Sequence, residues 1–140
     1  MDVVGIGIVI TPVACGVPSR AADVPGLSGT SIARPAPGTL LERLCGTGDL
    51  RGEYFCNFEA NPDFVSRWQE AGLRVAARGA DGEMRALELP DKRFFVATLF
   101  QPQLSSSYGD AHPIVVGYLR ACMAQRGAAW RPPGDEQADS

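Results

Sequence analysis

The sequence is poor in the side chains from which most catalytic and metal sites are built. Its 140 residues hold one histidine, His112, and one lysine, Lys92. The four cysteines, Cys15, Cys45, Cys56 and Cys122, are widely spaced and never form C-x-x-C, which argues against a zinc or thioredoxin-like site. No P-loop signature occurs, and Gly5-x-Gly7 lacks the third glycine and following helix of a dinucleotide-binding turn. The apolar run Val3 to Ile10 has eight residues, far short of the ~20 that cross a membrane. The net charge of -3, with no basic stripe, argues against nucleic acid as a partner. Met1-Asp2 is acidic where a secretion signal needs positive charge. Pro12-Val13-Ala14-Cys15 has only a faint likeness to a lipoprotein cleavage site. The expectation is a cytoplasmic protein with reduced thiols, no cofactor and no metal ion.

What is present suits one soluble domain. A chain of this length can bury roughly two-thirds of its unfolded surface. Val3 to Ile10, VVGIGIVI, reads as a strand covered on both faces, as in a parallel sheet. Residues 16 to 38 are rich in proline and glycine and read mostly as loop, with a short strand around Gly29 to Ala33. Thr39 with Glu42 forms a capping box ahead of Leu40, Leu41 and Leu44, and Gly46 ends that helix. EYFCNFE, residues 53 to 59, reads as an aromatic-rich strand. Asn61, Pro62 and Asp63 open a second helix that carries Phe64, Val65 and Trp68 on one face and stops at Gly72. Ala80-Asp81-Gly82 joins two strands in a hairpin. FFVATLF, residues 94 to 100, reads as another fully apolar strand, and a last helix runs from His112-Pro113 to about Arg126. Cys15, Cys45 and Cys122 read as core fillers, Ser105-Ser106-Ser107 as a polar loop, and His112 as a helix cap. Residues 1-126 form the domain and residues 127-140 a polar tail, expected to be disordered, with Trp130 as its one aromatic. Strands interleaved with helices point to an α/β domain with helices packed on a mixed sheet.

Three segments in unbroken order carry a resemblance. They are YFCNFEANP at 54 to 62, AGLRVAARGADGEMRALELP at 71 to 90, and FFVATLFQPQ at 94 to 103 followed by DAHPIVVGYLRAC at 110 to 122. Together they resemble the class I glutamine amidotransferase domain of CTP synthase over roughly residues 50 to 125. The resemblance implies the flavodoxin-like α/β fold of that family, here its C-terminal half. It also implies a Cys-His-Glu triad, in which a thiolate attacks the glutamine side-chain amide, histidine moves protons and glutamate orients the histidine.

The chain departs from that pattern where the chemistry sits. The family's Phe-His-Pro-Glu is Phe100-Gln101-Pro102-Gln103 here. A neutral amide can neither act as general base nor stabilise an imidazolium, so Gln101 and Gln103 are degenerate catalytic positions. No cysteine stands in a Gly-x-Cys-x-Gly elbow; the faint likeness at Val4 to Ile8 has Gly7 in its place. Asn57 replaces an arginine that holds substrate in the family, which leaves Asn57 and Glu59 as the ligand-binding candidates.

The resemblance then implies a non-catalytic glutamine amidotransferase-like protein. Half a doubly wound sheet would also pair its open edge with a second copy or another chain. One alternative is a truncated part of a longer enzyme acting on glutamine or another amide, whose upstream segment supplies the nucleophile. Another is a role in CTP formation beside a separate synthase chain.

Overall fold

The computed structural model describes residues 10–12, 28–55 and 58–126. Residues 3 to 9 of the expected first strand, Cys15, Cys56, Asn57 and the tail from Gly127 lie outside the described residues.

Among the described residues seven strands and three α-helices follow in order. β1 is Ile10–Pro12, β2 Ser28–Pro35, α1 Leu40–Cys45, β3 Leu50–Phe55 and β4 Phe58–Ala60. After a 3-10 turn at Pro62–Phe64 come α2 Val65–Glu70, β5 Arg74–Arg78, β6 Met84–Glu88, β7 Val96–Thr98 and α3 Pro113–Gln125. β2, β3, β5, β6 and β7 form one sheet in the order β3-β2-β5-β6-β7, and β1 pairs with β4 apart from it. The α/β architecture is the expected one. Its pairing is antiparallel throughout the described residues, where a mixed sheet was expected.

Local chemistry fixes the ends of the helices. Thr39 Oγ1 accepts the Glu42 N–H at 3.1 Å, and the Glu42 carboxylate reaches back to the Gly38 N–H at 2.7 Å. The box thus closes one residue earlier than the usual reciprocal pair, because the Thr39 N–H faces the Ala36 carbonyl instead. Gly46 ends the helix with φ 85°. Asn61 Oδ1 accepts the Asp63 N–H at 3.0 Å, which starts the turn leading into α2. The hairpin turn carries Gly82 at φ 83°, as its sequence required.

The central strand is covered on both faces. Val75, Ala76 and Ala77 are consecutive and all buried, and successive strand residues point to opposite sides. One apolar cluster joins Ala76 and Ala77 to Leu41 of α1, Ile114 of α3 and Phe100. A second joins Val75 and Met84 to Val65 and Trp68 of α2. The run 94 to 100 departs from its expected form: only Val96–Thr98 pairs, Ala97 is exposed, and Phe95 is 41% exposed. Among the described residues β7 is an edge strand with one neighbour, and an exposed position such as Ala97 is compatible with that place. The run 53 to 59 is likewise two strands on different sheets rather than one.

Among the described residues, no helix is long and apolar enough to cross a membrane.

Candidate functional site

The loop from β7 to α3 carries Phe100-Gln101-Pro102-Gln103, and backbone contacts and two hydroxyls hold it. Phe100 is buried at 2% exposure and lies directly against Gly52 of β3, where a Cβ would come within 2.6 Å of the phenylalanine's Cβ and Cγ. Only glycine leaves room for so close an approach. Thr98 Oγ1 donates to the Phe100 carbonyl at 2.7 Å. The Gln101 N–H donates to the Glu53 carbonyl at 2.7 Å, which ties the loop to β3. The Leu104 N–H then returns to the Gln101 carbonyl at 3.0 Å and closes a turn.

Ser106 closes the far side. Its hydroxyl donates to the Pro102 carbonyl at 2.9 Å and accepts the His112 N–H at 3.0 Å. Ser107 and Asp110 exchange backbone hydrogen bonds at 3.0 and 3.1 Å. The serine run is therefore structural at Ser106, in line with the polar-loop reading of the sequence. His112 caps α3: its Nδ1 accepts the Ile114 N–H at 3.2 Å, and its ring sits 6.3 Å from that of Phe100. Burial lowers the His112 pKa from its ordinary value, which favours the neutral ring whose Nδ1 can accept. With that nitrogen committed to the cap, only Nε2 is left for other chemistry.

The sequence candidates are distributed unevenly over this frame. Gln101 and Gln103 share the loop, the first half-buried and the second exposed. Glu59 stands in β4 opposite Thr11; Asn57 lies outside the described residues. Gln101 and Gln103 offer amide donors and acceptors beside the loop's backbone groups. Such a set can hold a polar ligand but cannot take or give a proton near neutral pH.

One charged group escaped the sequence reading. Glu88 is 1% exposed. Its carboxylate accepts the Leu40 N–H at the start of α1 at 2.7 Å and pairs with the Arg74 guanidinium, whose Nε lies at 2.8 Å. Arg74 also donates to the Gly38 carbonyl at 3.0 Å. This network joins two strands to the first turn of a helix, and every partner is spoken for, so its role is structural. The signal was the period of two in β6, which puts Glu88 on the same side as the buried Met84 and Ala86. Among the described residues no three His, Cys, Asp or Glu side chains converge where a metal ion could sit.

No family model matches the chain. It is similar to CTP synthase of Methanopyrus kandleri, 39% identical over 89 residues that make up 63% of this chain and 17% of that protein. It is also similar to CTP synthase of Helicobacter pylori, 28% identical over 89 residues, 64% of this chain and 16% of that one. The chain thus spans about a sixth of the length of these relatives. Its fold matches the glutaminase domain of Trypanosoma brucei CTP synthase solved with bound acivicin. The TM-score is 0.63 at 20% identity, over 76% of this chain and 42% of that one.

Proposed function

We propose, from the premise that this chain is related to the glutaminase domain of CTP synthase, that it keeps that domain's C-terminal frame without its chemistry. It would act as a non-catalytic amidotransferase-like module. One observation carries the reading: neutral amides, Gln101 and Gln103, occupy a loop whose counterpart in the family offers imidazole and carboxylate. An amide exchanges no proton near neutrality, so the Gln101 and Gln103 side chains can neither activate a thiol nor protonate a leaving ammonia. Gln101 and Gln103 would hold a ligand, if any, by hydrogen bonds alone. Purified chain incubated with L-glutamine should release no ammonia above the uncatalysed rate in a coupled glutamate dehydrogenase assay. Enzyme-like release would overturn the proposal.

The share of the structural relative covered, 42%, favours a second reading. In it the described residues are part of a longer amidotransferase-family enzyme whose further segment brings the nucleophile. An in-frame upstream sequence encoding a Gly-x-Cys-Gly-Gly-like turn would favour it, and stop codons there would remove it.

Among the described residues β7 has a neighbouring strand on one side only. Ala97 is exposed on that edge and Phe95 beside it, and unpaired edges attract other strands. The partner would be a second copy or another chain pairing along β7. Sedimentation of a well-folded monomer at high concentration would count against the homodimer.

A further inference from the structure

Away from the loop of Gln101 and Gln103, α3 and the connection from β6 to β7 border a shallow groove of about 380 Å³. It is lined by Arg93, Phe94, Tyr118, Cys122 and Arg126, among others. Its floor is held from below. Phe94 packs on the main apolar cluster, and its ring lies so near Gly117 of α3 that a Cβ there would come within 3.3 Å of Phe94 Cε2. Two backbone hydrogen bonds close the connection that carries Arg93 and Phe94. The Leu89 N–H donates to the Phe95 carbonyl at 3.3 Å and the Lys92 N–H to the Leu89 carbonyl at 3.2 Å.

Tyr118 stands on this floor. Its ring meets that of Phe94 edge to face at 5.6 Å and 66°, yet Tyr118 is 55% exposed and its neighbour Leu119 is 42% exposed. A ring already packed along one edge loses little conformational freedom when a partner covers its open face. The charge around it has one sign. Arg93 and Arg126 are exposed and join no ion pair among the described residues. From Pro113 to Arg126 the sequence holds no aspartate or glutamate, although the whole chain has a net charge of -3. Tyrosine and arginine are among the residue types that most often dominate protein–protein binding, and a guanidinium pairs with a carboxylate through two parallel hydrogen bonds. A small ligand needs most of its surface enclosed, which a groove this open does not provide, and Leu119 adds exposed apolar surface beside it. A polypeptide lying across α3 would cover both.

We propose that this groove docks an acidic segment of another protein, with one aromatic side chain against Tyr118 and flanking carboxylates paired with Arg93 and Arg126. The assignment is independent of glutamine hydrolysis and of any pairing along β7.

The probe is a fluorescein-labelled peptide with one tryptophan flanked by glutamates, titrated with the full chain and read by anisotropy. Binding should saturate and should weaken as salt rises. Tyr118→Ser and Arg93→Glu should each lower the affinity about tenfold or more, whereas Tyr118→Phe, which keeps the ring, should bind as the parent does. A peptide with lysine for glutamate should bind Arg93→Glu better than it binds the parent. All three substitutions are at exposed positions, and the amide NMR spectrum of each variant checks its fold. On adding the peptide to the parent, shifts should gather at residues 93–94 and 118–126. Absence of saturation up to the solubility limit would overturn the proposal. So would affinity unchanged by Tyr118→Ser or Arg93→Glu, shifts that gather elsewhere, or equal binding of the lysine peptide by the parent. An indole carboxylate that binds as tightly as the peptide would make this a small-molecule site instead. A dimer in sedimentation that Tyr118→Ser dissociates would make the occupant a second copy. Either result would also overturn it.

Discussion

Replacing Gly52 by alanine asks how firmly the Phe100–Gln103 loop is clamped to β3. The new methyl would lie 2.6 Å from Cβ and Cγ of Phe100, about 1 Å inside the optimum of ~3.5–4.0 Å between carbons. Neither side can move easily. Phe100 is 2% exposed. Its carbonyl is held by Thr98 Oγ1 at 2.7 Å, and the next N–H is held by the Glu53 carbonyl at 2.7 Å. Overpacking a closed site costs about 1–3 kcal/mol, and anchorage on both sides places this case in the upper half, about 2–3 kcal/mol. At about 4 °C per kcal/mol for a domain of this size, Gly52→Ala should melt about 8–12 °C below the parent in scanning calorimetry. Adding Phe100→Ala removes Cγ and the ring and leaves only Cβ in the way. The double variant should then be more stable than the sum of the two single losses by about 1 kcal/mol or more. A Gly52→Ala protein within about 0.5 kcal/mol of the parent, or losses that simply add, would show that the loop does not rest on β3 as described.

Three further outcomes follow from other contacts. Glu88→Ala strands the Arg74 guanidinium and the Leu40 N–H; because Arg74 is 41% exposed and can rehydrate, the loss should sit near the low end for a broken buried pair, about 3 kcal/mol. Glu88→Gln, which keeps the shape, should lose about 1–2 kcal/mol in urea unfolding, and equal losses for the two would contradict a charge-dependent network. Burial holds the His112 imidazole below its usual 6.5, so the unfolded chain takes up that proton first as pH falls. Stability should be full above that value and decline below it until the folded protein also protonates. His112→Asn, which can still cap α3, should flatten this part of the profile, and an unchanged slope would refute the assignment. Burial pushes the Cys45 thiol up to about 11, so iodoacetamide near pH 8 should label Cys45 only after unfolding, read by peptide mass spectrometry; rapid labelling of the native protein would contradict that environment.

What could be read from the sequence was the chemistry that acts within a few residues. Thr39 and His112 cap the helices expected of them, and Asn61 caps the 3-10 turn that leads into α2, because a side-chain acceptor meets a backbone N–H two or three residues on. The hairpin at 80 to 82 formed for the same local reason. The failures all involve distant partners. The strand expected around Gly29 to Ala33 is found but extends over Ser28–Pro35, because β3 supports its first part and β5 its last two residues, and those pairings leave no trace in residues 28 to 35. The strand expected at 53 to 59 divides because β3 pairs with β2 and β4 with β1. At the site, the resemblance located Gln101 and Gln103. It could not reveal that Glu53 supports Gln101, because the contact is carbonyl to N–H and any residue type could make it.

That last contact bears on how such a loop could change its chemistry and keep its form. The groups that shape it are the Phe100 ring against Gly52, the Gln101 N–H on Glu53, and the Ser106 hydroxyl between Pro102 and His112. None of these is the side chain of Gln101 or Gln103. In a triad, the imidazole and carboxylate would hold each other by a charge-assisted hydrogen bond and so would help to set their own geometry. Here the backbone path is set without them. Exchanging an ionisable side chain for a neutral amide at either position therefore removes proton transfer while leaving the scaffold's hydrogen bonds untouched. A loop held by backbone groups, hydroxyls and one buried ring places little structural constraint on the side chains it displays, and positions 101 and 103 are free to vary independently of stability.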